Sequence, residues 1–287
     1  MIDNERFIDK SVDNLLKSIE NSSDKLYKDL LKYLAKFDKE KGNLNSSQFE
    51  LILALDNFVR SAVFDTKVDS AIKGYLSTFD KATGNIISIN EEFANKAIKV
   101  NTDRILNDNK KFALNNIKGI GFENVTKLIQ DILYKGISNN SSVIAVEQQL
   151  KQLILPDNGV SILERHFGQV AQDSLYQHQG TINQKIIEVY EFKAVRYVPL
   201  TEVSDTRPIC HHITQLKQPI LITDLKKILN EYCPNGRPSK DKITYSIRDE
   251  VKILGKGAGM IDGTNINNFF MNRGGYRCRH QCIGALI

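Results

Sequence analysis

The chain has 287 residues, 41% of them hydrophobic, with 39 basic and 34 acidic side chains and a formal net charge of +5. That length accommodates two domains, and the apolar share suffices for packed cores. The mild positive charge permits contact with nucleic acid without arguing for it, no apolar run reaches the roughly 18 residues of a membrane span, and the start Met1-Ile2-Asp3-Asn4-Glu5-Arg6 lacks the basic-then-apolar pattern of a signal peptide, so no membrane partner is expected.

Residues 1–40 read as helix, with Phe7, Ile8, Val12, Leu15, Leu16 and Ile19 at helical spacing. Asn21-Ser22-Ser23-Asp24 breaks this pattern and offers N-caps for a second helix bearing Leu26, Leu30, Leu31, Leu34 and Phe37. Gly42 is the expected stop. A long helix is predicted over 46–79, a turn at Gly84-Asn85, and another helix over about 90–115.

Ile117-Lys118-Gly119-Ile120-Gly121-Phe122-Glu123 resembles the turn of a helix-hairpin-helix DNA binder. There a Gly-x-Gly turn aims backbone N–H groups at a phosphate, and Lys118, Gly119, Gly121 and Lys127 would be the DNA contacts. The plainer reading is a loop, with Asn124 or Thr126 capping a helix over 125–133. Ser141 or Ser142 then caps a helix over 143–155 that ends at Pro156. From Ser161 a longer helix runs to about residue 189, with His166 and His178 expected on a partly exposed face.

The character changes near residue 190. Residues 190–198 are rich in β-branched and aromatic side chains and read as a strand. Thr223-Asp224-Leu225 starts a short helix ending near Cys233-Pro234-Asn235-Gly236, and 235–268 reads as a long loop with one short extended segment. Gly255-Lys256-Gly257-Ala258-Gly259 lacks the spacing and context of a phosphate-binding loop and is expected to be surface loop. The expected fold is mainly α: an elongated helical region over 1–115, a helical segment over 116–190 leading into the C-terminal domain, and a small α+β domain over 191–287.

Reactive side chains gather in two C-terminal pieces. One contains Asp205, Arg207, Pro208, Cys210, His211 and His212; the other contains Gly274, Gly275, Arg277, Cys278, Arg279, His280 and Cys282. Together they hold three of the four cysteines and three of the five histidines, separated by about 60 residues, so only a folded domain can join them. Cys210, His211, His212, Cys278, His280 and Cys282 are all suitable ligands for a structural zinc. Cys278-x-His280-x-Cys282 would face one side of a strand. The competing readings are buried thiols with hydrogen-bonded histidines, a Cys210–Cys278 disulfide, and a Cys-His nucleophile in a zinc- or cysteine-dependent enzyme, for which no third orienting group is recognisable. Arg273, Arg277 and Arg279 could meet DNA or an acidic partner, or join Asp205 and Arg207 in an internal ion-pair network.

These motifs resemble the C-terminal domain of phage minor head proteins of the Mu-like head morphogenesis family. In that family a helix with an Asp and then an Asn leads to a strand, an Arg-Pro-x-Cys motif, a variable loop and a terminal Gly-Gly-x-x-Cys-Arg-His motif. Here the counterparts are Asp173, Asn183, the strand at Arg196-Tyr197-Val198, Arg207-Pro208-Ile209-Cys210 and Gly274-Gly275-Tyr276-Arg277-Cys278-Arg279-His280. The resemblance covers roughly residues 120–287, and Cys282 stands where the family often has an aromatic residue. It implies a virion structural protein, not an enzyme, associated with the portal and other head proteins and acting in head assembly or DNA packaging. Such a protein resides in the phage head, and in the bacterial host cytoplasm during assembly. The toxin or ADP-ribosyltransferase domain fused to some members has no motif here.

Overall fold

The structure is a computed structural model describing residues 2–35, parts of 52–59, 66–155, 159–198, 208–216, 218–232, 244–247, 250–253, 261, 263–272 and 278–286. The expected features at Gly42, Pro156, Cys233 and 255–259 lie outside these residues. The fold is mainly helical, with a small antiparallel sheet near the C-terminus. None of the described helices is long and apolar enough to cross a membrane.

Helix α1 spans Ile2–Leu34 without the interruption expected at Asn21-Ser22-Ser23-Asp24. The polar side chains there bond back onto their own helix: Ser18 Oγ donates to Asn14 O (3.2 Å), Asn21 Nδ2 to Lys17 O (3.1 Å) and Ser22 Oγ to Ser18 O (3.4 Å). That local bonding is compatible with a helix interior, so a cap-forming composition did not make a cap. Helix α2, Thr66–Ala94, likewise runs through the turn expected at Gly84-Asn85. Phe79, Ala82, Thr83, Ile86 and Asn90 are buried along one stripe, and burying that stripe outweighs the roughly 1 kcal/mol that one mid-helix glycine costs.

The helix expected over 90–115 is corrected in the same way. Helix α2 ends at Ala94 because Asn95 adopts φ 48°, with Asn95 N–H donating to Glu92 O and Lys96 N–H to Glu91 O, each at 3.3 Å. That is the left-handed helix stop that asparagine tolerates. Helix α3 spans Asp103–Lys118 and α4 spans Ile120–Ser138. Helix α5, Val143–Ile154, is capped by Ser142, whose Oγ accepts from Ala145 N–H at 3.2 Å. Helix α6, Ile162–Val189, begins with a reciprocal capping box: Ser161 N–H donates to Glu164 Oε2 (2.8 Å) and Glu164 N–H to Ser161 Oγ (3.1 Å).

Strand β1 is Ala194–Val198, helix α7 Pro208–Gln215, strand β2 Ile220–Leu221 and helix α8 Ile222–Tyr232. Within the expected long loop lie two strands, β3 (Thr244–Ile247) and β4 (Glu250–Ile253), paired as an antiparallel hairpin, where one extended segment was predicted. Helix α9 is Phe269–Asn272 and strand β5 is Gln281–Ala285. The main sheet has the order β2-β1-β5, with both pairings antiparallel and Tyr197 opposite Cys282.

The chain forms two compact units, each drawn from separated stretches: one from 1–9, 79–110 and 172–287, the other from 10–78 and 111–171. The sequence boundaries at 115/116 and 190/191 do not coincide with them. The first unit holds a core of Ile86, Ile186, Val195, Tyr197, Ile209, Phe269 and Ile283, with Cys210, Cys278 and Cys282 built into it.

Candidate functional site

The two cysteine-bearing pieces meet in that core. Pro208 opens α7, as its fixed φ and missing N–H suit a first helical position, and this places Cys210 in the first turn. Cys278 and His280 lie in the lead-in to β5 and Cys282 within β5 itself. Cys210 Sγ and Cys278 Sγ stand 3.9 Å apart, and Cys278 Sγ is 3.6 Å from His280 Nδ1. The ligand atoms of Cys210, Cys278 and His280 all fall within 4.8 Å of one another. All three residues are buried, and Cys210, Cys278 and Cys282 are not joined in disulfides.

Tyr197 is the residue that organises this cluster, and it was not singled out in the sequence. Its hydroxyl donates to Cys210 Sγ at 3.3 Å and lies 3.8 Å from Cys278 Sγ. Its ring stacks on His280 (centroids 4.9 Å apart, planes at 6°) and on Phe269 (5.8 Å, 27°). Burial, then the neighbouring Cys210, Cys278 and Cys282, hold its pKa well above the ordinary tyrosine value, so the hydroxyl stays a proton donor to sulfur. Gln218 Oε1 accepts from Tyr197 N–H (3.0 Å) while Gln218 Nε2 donates to Ile213 O (3.2 Å), which ties β1 to α7 beside the cluster. The alternation of residues along β1 was the available signal, since it turns Tyr197 and Val195 to the inside and Arg196 out.

The remaining expected site residues are distributed as follows. Asn183 is buried on α6 and accepts, through Oδ1, from Asn90 Nδ2 at 2.7 Å; Asn90 also donates to Ile86 O at 2.9 Å. Asp173 is half-buried on the same helix. Arg279 meets Asp9 at 3.7 Å, an internal ion pair. Asp205, Arg207, Gly274, Gly275 and Arg277 lie outside the described residues, as do the side chains of Pro208, His211 and His212. A second amide pair adjoins the cluster in sequence: Gln281 Nε2 donates to Gln179 Oε1 at 2.9 Å, with both residues fully buried.

His178 corrects the expected partly exposed face, because only 1% of it is accessible; His166 is half-buried. Helix α6 is enclosed over its second half, so a histidine on it must find internal partners. These are Thr83 Oγ1, 2.8 Å from Nε2, and Asn109 Nδ2, 3.0 Å from Nδ1.

The DNA-binding reading loses its turn. Gly119 N–H donates to Asn115 O (2.7 Å) and Glu123 N–H to Gly119 O (2.9 Å), so one helix passes into the next across a single residue. Gly121 lies inside α4, and Lys118 Nζ is paired with Asp69 Oδ1 at 2.7 Å, leaving Lys127 exposed by itself. The plain-loop reading is corrected too: Asn124 and Thr126 are inside α4 and cap nothing. A Cβ at Gly119 would meet Asn115 O at 2.8 Å, which is why this tight joint needs glycine. As for a cysteine nucleophile, the Cys278–His280 pair has hydrogen-bond reach, but with 4% and 6% exposure it offers a substrate little access.

Comparison with protein-family models, with curated proteins and with solved structures finds no match for this chain.

Proposed function

We propose that this chain is a minor head protein of a phage particle, associated with the portal and acting in head assembly and DNA packaging without catalysing a reaction. One observation supports the reading above the others. Cys210 of the Arg-Pro-x-Cys motif and Cys278 and His280 of the Cys-Arg-His motif, the residues that carry the resemblance, converge in one buried cluster. Motifs that match a family by chance have no reason to meet across a sequence separation of 68 residues. Asn183, the family's helix asparagine, sits buried against Asn90, as a residue kept for architecture does. The burial of every reactive group in the cluster fits a structural role, because reactivity at sulfur requires access.

The test is deletion of the gene from the phage or prophage that carries it, followed by electron microscopy of the particles and measurement of packaged DNA. The expected result is a loss of DNA-filled heads, restored by the gene in trans, with the chain found by mass spectrometry in purified wild-type particles. Normal filled particles in the deletion strain, with the chain missing from wild-type virions, would refute the assignment. Genes for portal, terminase and capsid proteins beside this one are the expected genomic setting.

A further inference from the structure

We infer that Cys210, Cys278 and His280 hold a structural zinc ion. In a tetrahedral site with Zn–S near 2.3 Å and Zn–N near 2.0–2.1 Å, the edges come to about 3.8 Å between sulfurs and about 3.6 Å between sulfur and nitrogen. The protein has 3.9 Å between Cys210 Sγ and Cys278 Sγ, and 3.6 Å between Cys278 Sγ and His280 Nδ1. Two of the three edges thus already stand at the spacing that one ion requires, and the third, between Cys210 and His280, is within 4.8 Å.

Charge and surroundings point the same way. Two thiolates and a neutral imidazole cancel the 2+ charge of zinc, so the completed centre enters the core without a net charge to desolvate. Exposures of 1%, 4% and 6% for Cys210, Cys278 and His280 keep the three donors out of solvent, which suits an ion held for structure better than one that must admit a substrate. The Tyr197 hydroxyl, 3.3 Å from Cys210 Sγ, is an outer-shell donor to a metal-bound sulfur, and its ring packed flat on His280 orients that imidazole. Cys282, two residues beyond His280 and opposite Tyr197 in the sheet, is a further buried thiol beside the cluster. The ion would join α7 to the lead-in of β5 and close a loop of 68 residues, stabilising the folded unit because the unfolded chain has no such site. The site stands on its own geometry, whatever the protein assembles with.

The full chain, purified under reducing conditions without added metal, is analysed for bound metal and titrated with cobalt after chelator treatment. The expected results are about one zinc per chain, a thiolate-to-cobalt charge-transfer band on titration, and thiols that react with an alkylating reagent at least ten times faster once chelator is present. Cys278→Ser and His280→Ala are each expected to lower zinc affinity at least tenfold. The wild-type measurements stand even where a variant fails to fold. A reduced wild-type chain that takes up neither zinc nor cobalt at a one-to-one ratio overturns the inference. So does a Cys210–Cys278 disulfide found by mass spectrometry in protein kept free of oxidant.

Discussion

Acidifying the protein from pH 7 to pH 5 tests whether His178 is locked in its neutral form. The Thr83 hydroxyl donates to Phe79 O at 2.9 Å, so its oxygen accepts from His178 Nε2–H at 2.8 Å; the other ring nitrogen accepts from Asn109 Nδ2 at 3.0 Å. A second ring proton would point Nδ1–H at that amide within a buried site. Burial is the largest influence and Lys110 acts with it, while the Phe79 carbonyl and Asp80 oppose, and the result is a pKa lowered from 6.5 to about 4. The unfolded chain therefore takes up the proton first. Stability is complete above pH 6.5, declines as pH falls toward about 4 and is level below that. Linkage over this interval gives a loss of about 2 kcal/mol by pH 5 and about 3 kcal/mol by pH 4. Urea unfolding of the wild-type chain and of His178→Gln at pH 7 and pH 5 isolates this share. Other titrations, including that of His166 with its pKa lowered by burial and by Arg165, and the Lys110–Asp80 pair at 2.7 Å, occur in both proteins and cancel in the difference. The wild type is expected to lose about 2 kcal/mol more than the variant. Equal losses in the two proteins would show that His178 binds its proton as readily in the folded state, and the locked-tautomer account would fail.

Two glycines within helices should respond oppositely to alanine. At Gly180 a Cβ would run into the Phe270 carbonyl and come within 2.8 Å of Met271 Cα, both backbone, so Gly180→Ala should cost about 1–3 kcal/mol or more in urea unfolding. At Gly84 a Cβ would meet nothing within 4 Å, and Gly84→Ala should stabilise α2 by about 0.5–1 kcal/mol. Asn90→Leu strands the Asn183 amide in the core and should cost about 1–3 kcal/mol; a neutral result would mean the 2.7 Å bond contributes nothing. Tyr197→Phe keeps the stack on His280 and removes only the hydroxyl, so zinc affinity in a competition titration should fall about 10–100-fold with little change in secondary structure by circular dichroism.

What the sequence determined by itself is the chemistry that acts over a few residues. Ser142 and the Ser161–Glu164 box start helices where their side chains reach the first free N–H groups, and of the β-branched and aromatic run at 190–198 residues 194–198 form a strand, while 190–193 turn out of the preceding helix. The class of the fold followed from those signals, as did the two pieces rich in cysteine and histidine. Tertiary structure decided wherever local preferences were weaker than burial. The serines at 22 and 23 and the glycine at 84 are breakers worth about a kilocalorie each, and the helices through them bury apolar stripes worth several times more. Asn95 stopped α2 through a left-handed conformation that composition alone did not mark. The depth at which His178 sits, the pairing of Asn183 with Asn90, and the meeting of Cys210 with Cys278 and His280 under the Tyr197 ring all depend on elements far apart in the chain. Periodicity states which faces are apolar; only packing within each compact unit states which faces meet, because contact energy depends on position in space and not on separation along the backbone.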